Sequence, residues 1–476
     1  MLEAELVQLV KRITEQKCEK QYLEIKKAAD GAPTKLYGTL SSFANQPFGG
    51  IIVFGIDETE GYKVVGVYDA QDLQKKVMEQ SLQMEPVIRP LFTVAQIKDK
   101  LVVSAEISEC DIYEKPCFYK GAGRLRGSYI RVGDSDQTMT EYEIYSYEAF
   151  KRRIHDELRT VERATTASLS KDLLAEYLIK LRRNKQNLVN LEDKRILETQ
   201  GICQEGSPTL AGLMLLSGYP QEFFPQLSVT AMVVQGKEIG ELGEEGERFI
   251  DNKRIEGNIP QMLEDTLAFV RRNMKIKTII TDEGTRADKT EYPIKAVREI
   301  ILNALIHRDY SAHTDHSPIR LVMYEDRLEL ENPGGLYGRI TINDLGKVSA
   351  DTRNPYLAGA MEIMINTENR FSGIPTVRNE LKKAGLPDPL FIDRRGVFKA
   401  IFYKNTATFG MGISIEQEIL DYCLTPRSRE ELAEKFGFKT PTYFIKKFIT
   451  PLVLEGEIKM TIPNRPKSKF QKYYSN

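Results

Sequence analysis

Glu299, Asn303 and His307 place an acid, an amide and an imidazole at strict four-residue intervals within EIILNALIHRDYS. At 3.6 residues per turn the three stack up one helical face, drifting slowly around the axis. Ile300, Ile301, Leu302, Ala304, Leu305 and Ile306 cover most of the remaining circumference, which predicts a largely buried helix. A polar stripe on a buried helix must meet something polar, either a ligand or other side chains.

The elements that hold this helix are legible around it. Pro293 stands at a first-turn position, and two strands, PIRLVMYEDRLELEN, lead into the turn PGG. RNPYLAGAMEIM and SGIPTVRNELKKAGL read as helices, and LFIDRRGVFKAIFYK as a closing hairpin. Helices alternating with strand pairs predict a sheet covered on one face. Upstream, residues 149–275 read as a helical connector and the start of this module, with an apolar helix and a strand in TLAGLMLLSGYPQEFFPQLSVTAMVVQGKEI and an amphipathic helix in NIPQMLEDTLAFVRRNM. The front, residues 1–148, alternates strands and helices, with strands in GGIIVFGID and YKVVGV and a hairpin turning at KDK. After the small-residue linker NTATFGMGIS, residues 414–476 read as a winged helix-turn-helix. Ser428 and Glu431 are in capping-box spacing, Thr440 and Pro441 open a recognition helix, and IKMTI and KFQKYY flank a wing turn, PNRPKSK.

The chain has 476 residues, enough for about three domains, and its 41% hydrophobic and 28% charged content predicts a soluble globular protein. No apolar run reaches bilayer length and the N-terminus lacks a signal-peptide pattern, so a cytoplasmic protein without membrane contact is expected. Five scattered cysteines without a C-x-x-C pair point to neither a disulfide framework nor a zinc site. A net charge of −1 excludes a globally basic nucleic-acid coat. The basic character is local: from Arg427 onward eleven Lys or Arg stand against five Glu.

YPIKAVREIILNALIHRDYS, LELENPGGL, RNPYLA and ENRFSGIPTVRNELKKAGLPDP together resemble the ATP-binding proteins labelled RecG C-terminal-like or divergent AAA-4. YLEIKKA, SSFANQPFGGIIVFGID and GSYIRVGDSD resemble the schlafen AlbA-2 domain. The resemblance implies an α/β and α+β multidomain chain: an AlbA-2 domain at 1–148, a Bergerat or GHKL-like ATP-binding sandwich at 276–405, and the winged helix behind. It implies that Asn303 ligates Mg²⁺ beside the ATP phosphates, that Glu299 polarises the attacking water if ATP is hydrolysed, and that His307 sits further along the same face. Asn332, Gly334 and Gly335 would lie at the adenine, with Ser372 and Gly373 closing over the phosphates. Two departures stand out: Asn332 occupies the place of the usual aspartate, and the lid reads Phe371, Ser372, Gly373. No G-x-x-x-x-G-K-[ST] string of a helicase motor occurs, and HRDYSAHT lacks the metal-ligand asparagine of a kinase loop, with Thr314 in its place.

In the front domain, Glu19, Glu24 and Asp57 resemble the acidic trio of nuclease-active schlafens, which would bind a divalent metal; the alternative is a Glu24–Lys26 surface pair beside a turn aspartate. Arg124, Arg126 and Arg131, with Tyr129 between them, are candidate nucleic-acid contacts or an ordinary sheet edge. Lys446 and Lys447 on the recognition helix, and Arg465, Lys467 and Lys469 in the wing, are candidate DNA contacts. The leading expectation is an ATP- and Mg-dependent DNA-binding transcriptional regulator, homo-oligomeric. The alternatives are a schlafen-like metal-dependent nuclease, with phage defence as its setting, and a protein-interaction scaffold with a relic ATP site.

Overall fold

The computed structural model describes residues 1–476 except 244–245, 281–285, 349–350, 366–372, 395, 405–418, 421, 424–425, 437–440, 455–456, 462–467, 469–470 and 476. The chain divides into two compact units, residues 1–144 with 409–476, and residues 145–408. No described helix is long and apolar enough to cross a membrane.

The front of the first unit is built from α1 (Glu3–Gln16), β1 (Leu23–Lys26), α2 (Tyr37–Asn45), β2 (Gly50–Phe54), α3 (Ala70–Ser81), β3 (Leu91–Ile97) and β4 (Lys100–Ile107). The sheet order is β1-β2-β4-β3, with β1 parallel to β2 and the other pairs antiparallel. Alternation along β2 sends Ile52 and Phe54 to one core, with Leu40 and Phe43 of α2 and Leu73 and Val77 of α3. Val53 turns to a second core against Leu6, Leu9, Val10 and Ile13 of α1. Each such side chain contributes about 1.5–3 kcal/mol of burial, which fixes the register of a sheet covered on both faces. The β3–β4 hairpin turns at Lys98, whose φ is 57°. A further hairpin, β5 (Tyr129–Val132) with β6 (Ser135–Thr138), completes this part.

The second unit carries α4 (Lys171–Asn184), β7 (Val229–Val234), β8 (Phe249–Ile255), α5 (Ile259–Asn273), α6 (Ile294–His307), β9 (Ile319–Met323), β10 (Arg327–Pro333), α7 (Pro355–Ile365), α8 (Gly373–Lys383), β11 (Leu390–Arg394) and β12 (Val397–Tyr403). Six strands run in the order β8-β7-β9-β10-β12-β11, and β7 and β9 are the parallel pair. One face packs on the helices: Ala231, Leu321, Leu328, Leu330 and Ala400 share a core with Leu263 and Val270 of α5 and Val297, Ile301 and Leu305 of α6. The opposite face carries ion pairs, among them Arg327–Glu329 at 2.6 Å and Lys399–Glu329 at 3.1 Å. The sheet therefore recruits β7 and β8 from the stretch before residue 276. Pro293 caps α6 with φ −63° and the helix proper begins at Ile294.

The C-terminal part contains β13 (Arg427–Ser428), α9 (Arg429–Lys435), helical segments Pro441–Phe444, Ile445–Ile449 and Thr450–Leu454, then β14 (Ile458–Met460) and β15 (Lys472–Ser475). Its three-stranded sheet has β15 between β13 and β14, and Leu432, Phe444, Ile449, Leu452, Ile458 and Tyr473 form its core. Ser428 N–H donates to Glu431 at 2.7 Å while Glu431 N–H donates to Ser428 Oγ at 3.2 Å, a closed capping box at the start of α9. Thr440 and the turn at 462–467 lie outside the described residues.

Candidate functional site

The polar stripe of α6 opens into a cavity of about 750 Å³. Glu299, Asn303 and His307 line it from α6, Asn332, Gly334 and Gly335 from the end of β10 and its turn, and Gly373 from the start of α8. Ser372 lies outside the described residues. The apolar side of α6 explains the placement, since burying Val297, Ile301 and Leu305 against the sheet leaves the stripe pointing away from the core.

Asn303 Nδ2 donates to Glu299 Oε1 at 3.2 Å. Burial pushes the Glu299 carboxyl above its ordinary pKa, and the Asn303 bond draws it partly back. The His307 side chain is exposed to the cavity, yet the protein packed around the site and the nearby Arg353 charge lower its pKa to about 4. It is a neutral imidazole at pH 7. Asn332 is 4% exposed, and its Oδ1 has no hydrogen-bond partner among the described residues.

Gly334 is there because nothing larger fits. A Cβ on Gly334, whose φ is 101°, would lie 2.4 Å from Arg353 Nη1 and 2.6 Å from Asp309 Cβ. One on Gly373 would lie 2.6 Å from Glu299 Oε1 and 3.0 Å from Asn303 Nδ2. The start of α8 thus lies close to the acid and amide of α6.

Sequence reasoning missed Arg353, the buried cation of the cavity wall. Its Nη1 pairs with Asp309 Oδ2 at 3.1 Å, its Nη2 donates to Gly335 O at 3.2 Å, and its guanidinium lies 5.1 Å from the Tyr337 ring centre. The string RNPYLA held the signal, because its next residue, Asn354, donates to Ile306 O and Arg308 O, both at 2.8 Å, and so closes the C-terminus of α6. Arg308 is 1% exposed and donates to Thr314 O at 2.9 Å and Ser317 O at 2.5 Å. Arg308 of the HRD string is therefore loop architecture.

The front-domain expectations need correction. Arg131 does not face a nucleic acid: it is 3% exposed, with its Nη2 2.6 Å from Glu24 Oε2 and 3.6 Å from Glu19 Oε2 and its Nη1 2.9 Å from Asp136 Oδ1. Glu19 and Glu24 thus converge on a guanidinium. Burial, a hydrogen bond shared with Glu58 and the Glu24 charge push the Glu19 carboxyl above its ordinary pKa, while the Ile25 N–H, 2.6 Å from Oε1, draws it partly back. Asp57 is engaged elsewhere, accepting from Thr59 N–H at 2.9 Å and Thr59 Oγ1 at 2.6 Å with Lys27 at 3.4 Å. Among the described residues no three His, Cys, Asp or Glu side chains form a metal-binding group. The Glu24–Lys26 pair exists, but Glu24 is buried, shared with Arg131, and not a surface partner. Arg124 and Arg126 sit on a short helix, Gly123–Gly127, instead of a sheet edge; Arg126 is exposed and Arg124 lies 5.5 Å from the Phe118 ring centre.

At the C-terminus, Lys446 and Lys447 fall in the helical segment Ile445–Ile449, which has π-type winding. Arg465, Lys467 and Lys469 lie outside the described residues.

Comparison with known proteins agrees with the two parts that the fold separates. Residues 19–140 match the family model Schlafen, AlbA_2, and residues 316–402 match HATPase_c_4, described as "Putative ATP-dependent DNA helicase recG C-terminal". This mixed α/β chain therefore joins an AlbA_2 domain to a RecG C-terminal-like domain. Residues 417–474 match the C-terminal domain of "Filamentation induced by cAMP protein Fic-like" proteins. Among curated proteins nothing matches the chain. Of solved structures, the DIP2311 protein from Corynebacterium diphtheriae is similar at 17% identity over 90% of this chain and 89% of its own, with a TM-score of 0.41. The N-terminal domain of a "Putative ATP-dependent DNA Helicase RecG-related Protein" from Nitrosomonas europaea is 26% identical over 29% of this chain and 94% of its own, with a TM-score of 0.23. Likenesses at those scores carry no argument about this chain.

Proposed function

We propose that this protein binds ATP in the cavity of α6, binds DNA, and uses nucleotide state to tune that binding, as a transcriptional regulator would. One observation carries the reading: residues from α6, β10, its turn and α8, far apart in the chain, line one cavity of about 750 Å³ that keeps a buried amide oxygen without a hydrogen-bond partner among the described residues. In this reading residues 276–405, with β7 and β8, are a Bergerat or GHKL-like module, and 414–476 a winged helix.

The donor set suits a magnesium triphosphate. Asn303 would hold Mg²⁺ through ATP, since Mg²⁺ takes one or two hard protein oxygens and completes its shell with phosphate and water. Bound metal would neutralise phosphate charge. Gly373 at the start of α8 lines the same place, where a helix N-terminus favours anions. Glu299 accepts from Asn303 and, once ionised, is placed to orient a water. His307 stays neutral beside Arg353, so it adds no second positive charge there.

The word helicase in the matching description belongs to that family model; this chain has no phosphate loop of a helicase motor. A nuclease reading is disfavoured by Arg131, whose Nη2 lies 2.6 Å from Glu24 Oε2 and 3.6 Å from Glu19 Oε2 and so already pairs with two of the three acids. Calorimetric titration of the full chain with Mg·ATP tests the proposal. Saturable binding that falls at least roughly tenfold in Asn303→Ala, with an unchanged melting temperature, is expected. Binding that survives the substitution intact would show that the metal-holding role is misassigned, and no binding to the parent protein would end the nucleotide reading.

A further inference from the structure

Resting on that nucleotide reading, we infer that Asn332 lets the cavity accept adenine and guanine alike, so that its ligands are purine nucleoside triphosphates as a class. Asn332 lies near the end of β10 opposite Phe398 of β12, on the face that also carries Leu330, and all three line the cavity. Its Oδ1 is buried with no hydrogen-bond partner among the described residues, an unfavourable state that a ligand edge can relieve. Ile306, Ile340 and Leu345 add apolar surface to the same cavity, suited to the faces of a ring.

A carboxamide offers one acceptor and one donor group side by side. Adenine presents the N6–H donor beside the N1 acceptor, and the amide matches both with Oδ1 and Nδ2. Guanine presents the O6 acceptor beside the N1–H donor, the same pair reversed. A half-turn of the amide about its terminal bond matches that edge equally well, and a partner that would lock Oδ1 in place is lacking among the described residues. A carboxylate here would have only acceptors: it would place a lone pair against adenine N1, whereas guanine N1–H and N2–H could both donate to it, so it would choose guanine. The neutral amide is therefore the residue type that does not choose between the two purines.

Calorimetry on the full chain with Mg²⁺ and ATP, GTP or purine riboside triphosphate, which keeps N1 but has no 6-substituent, tests this without any mutation. ATP and GTP should bind within roughly threefold of each other and the unsubstituted purine roughly tenfold more weakly. Asn332→Leu, close in volume and without the amide, should weaken ATP and GTP alike by roughly tenfold while the melting temperature does not fall. ATP bound while GTP is refused by more than roughly thirtyfold, or an Asn332→Leu chain that binds both undiminished, would overturn the selectivity and leave the nucleotide site standing. Failure of every triphosphate to bind would instead overturn the site itself.

Discussion

At the scale of single residues, charge placement decides what the two domains can do. Arg131 holds Glu24 and Asp136 in a buried ion cluster. Removing one member of such a cluster leaves the others uncompensated, at a cost of about 3–5 kcal/mol. Arg131→Met should therefore lower the urea midpoint of the front domain strongly, and adding Glu24→Gln to it should recover part of the loss. A nucleic-acid contact residue would show neither effect. In the cavity, Glu299→Gln keeps a hydrogen-bonding oxygen toward Asn303 but cannot ionise. ATP affinity should stay within roughly threefold while any phosphate release is abolished, so equal turnover in both proteins would deny Glu299 its role.

At the scale of elements, α6 and α7 depend on side chains that complete their ends. Asn354→Ala removes the two donors to the last carbonyls of α6 and should cost about 1–3 kcal/mol in thermal or urea unfolding. Glu157 plays the converse part, accepting from Tyr356 N–H at 3.0 Å and Leu357 N–H at 2.7 Å at the start of α7. Burial pushes its carboxyl up to about 7 from an ordinary 4.5. The folded state thus holds a proton that the unfolded chain has released, so this contribution is complete below pH 4.5 and is lost as pH rises through 7. Melting temperatures from pH 5 to 8 should fall more steeply for the parent protein than for Glu157→Gln; parallel curves would remove Glu157 as the cause.

Elements of this kind also show what could be read in advance. α5 and α6 were legible because their apolar residues recur at helical spacing, and the hairpin at Lys98 because strand alternation flanks a polar turn. The α6 stripe was legible for the same reason, as a break in the apolar pattern. β8 was missed: FIDNKRI is an edge strand whose middle is charged and exposed, so it carries no burial signal. Arg131 was misjudged because Arg-x-x-x-x-Asp spacing says nothing of which side of a short hairpin is buried. RNPYLA marked a helix start but not the role of Arg353, because its partner Asp309 belongs to a distant turn and only the folded chain brings the two to 3.1 Å.

At the scale of the whole molecule, the proposed regulator must couple two ligands. If nucleotide favours one arrangement, DNA must change ATP affinity by the same factor that ATP changes DNA affinity. Fluorescence titrations run in both orders should return equal ratios, and unequal or unit ratios would dismiss the coupling. If the C-terminal part meets phosphates, the double substitution Lys446→Ala with Lys447→Ala should weaken DNA binding across sequences and lower the salt-dependence slope by about 2. An unchanged slope would assign that helix to another task.

The parallel pairing of β7 with β9 has a practical outcome for anyone dissecting the protein. A piece trimmed to residues 316–402 would keep Asn332 but leave behind Glu299, Asn303 and His307 together with both strands on that side of the sheet. Ile319–Met323 would then become a raw, greasy margin open to sticking to its neighbours. Such a piece should precipitate and ignore nucleotide, whereas residues 145–408 should stay monodisperse in light scattering.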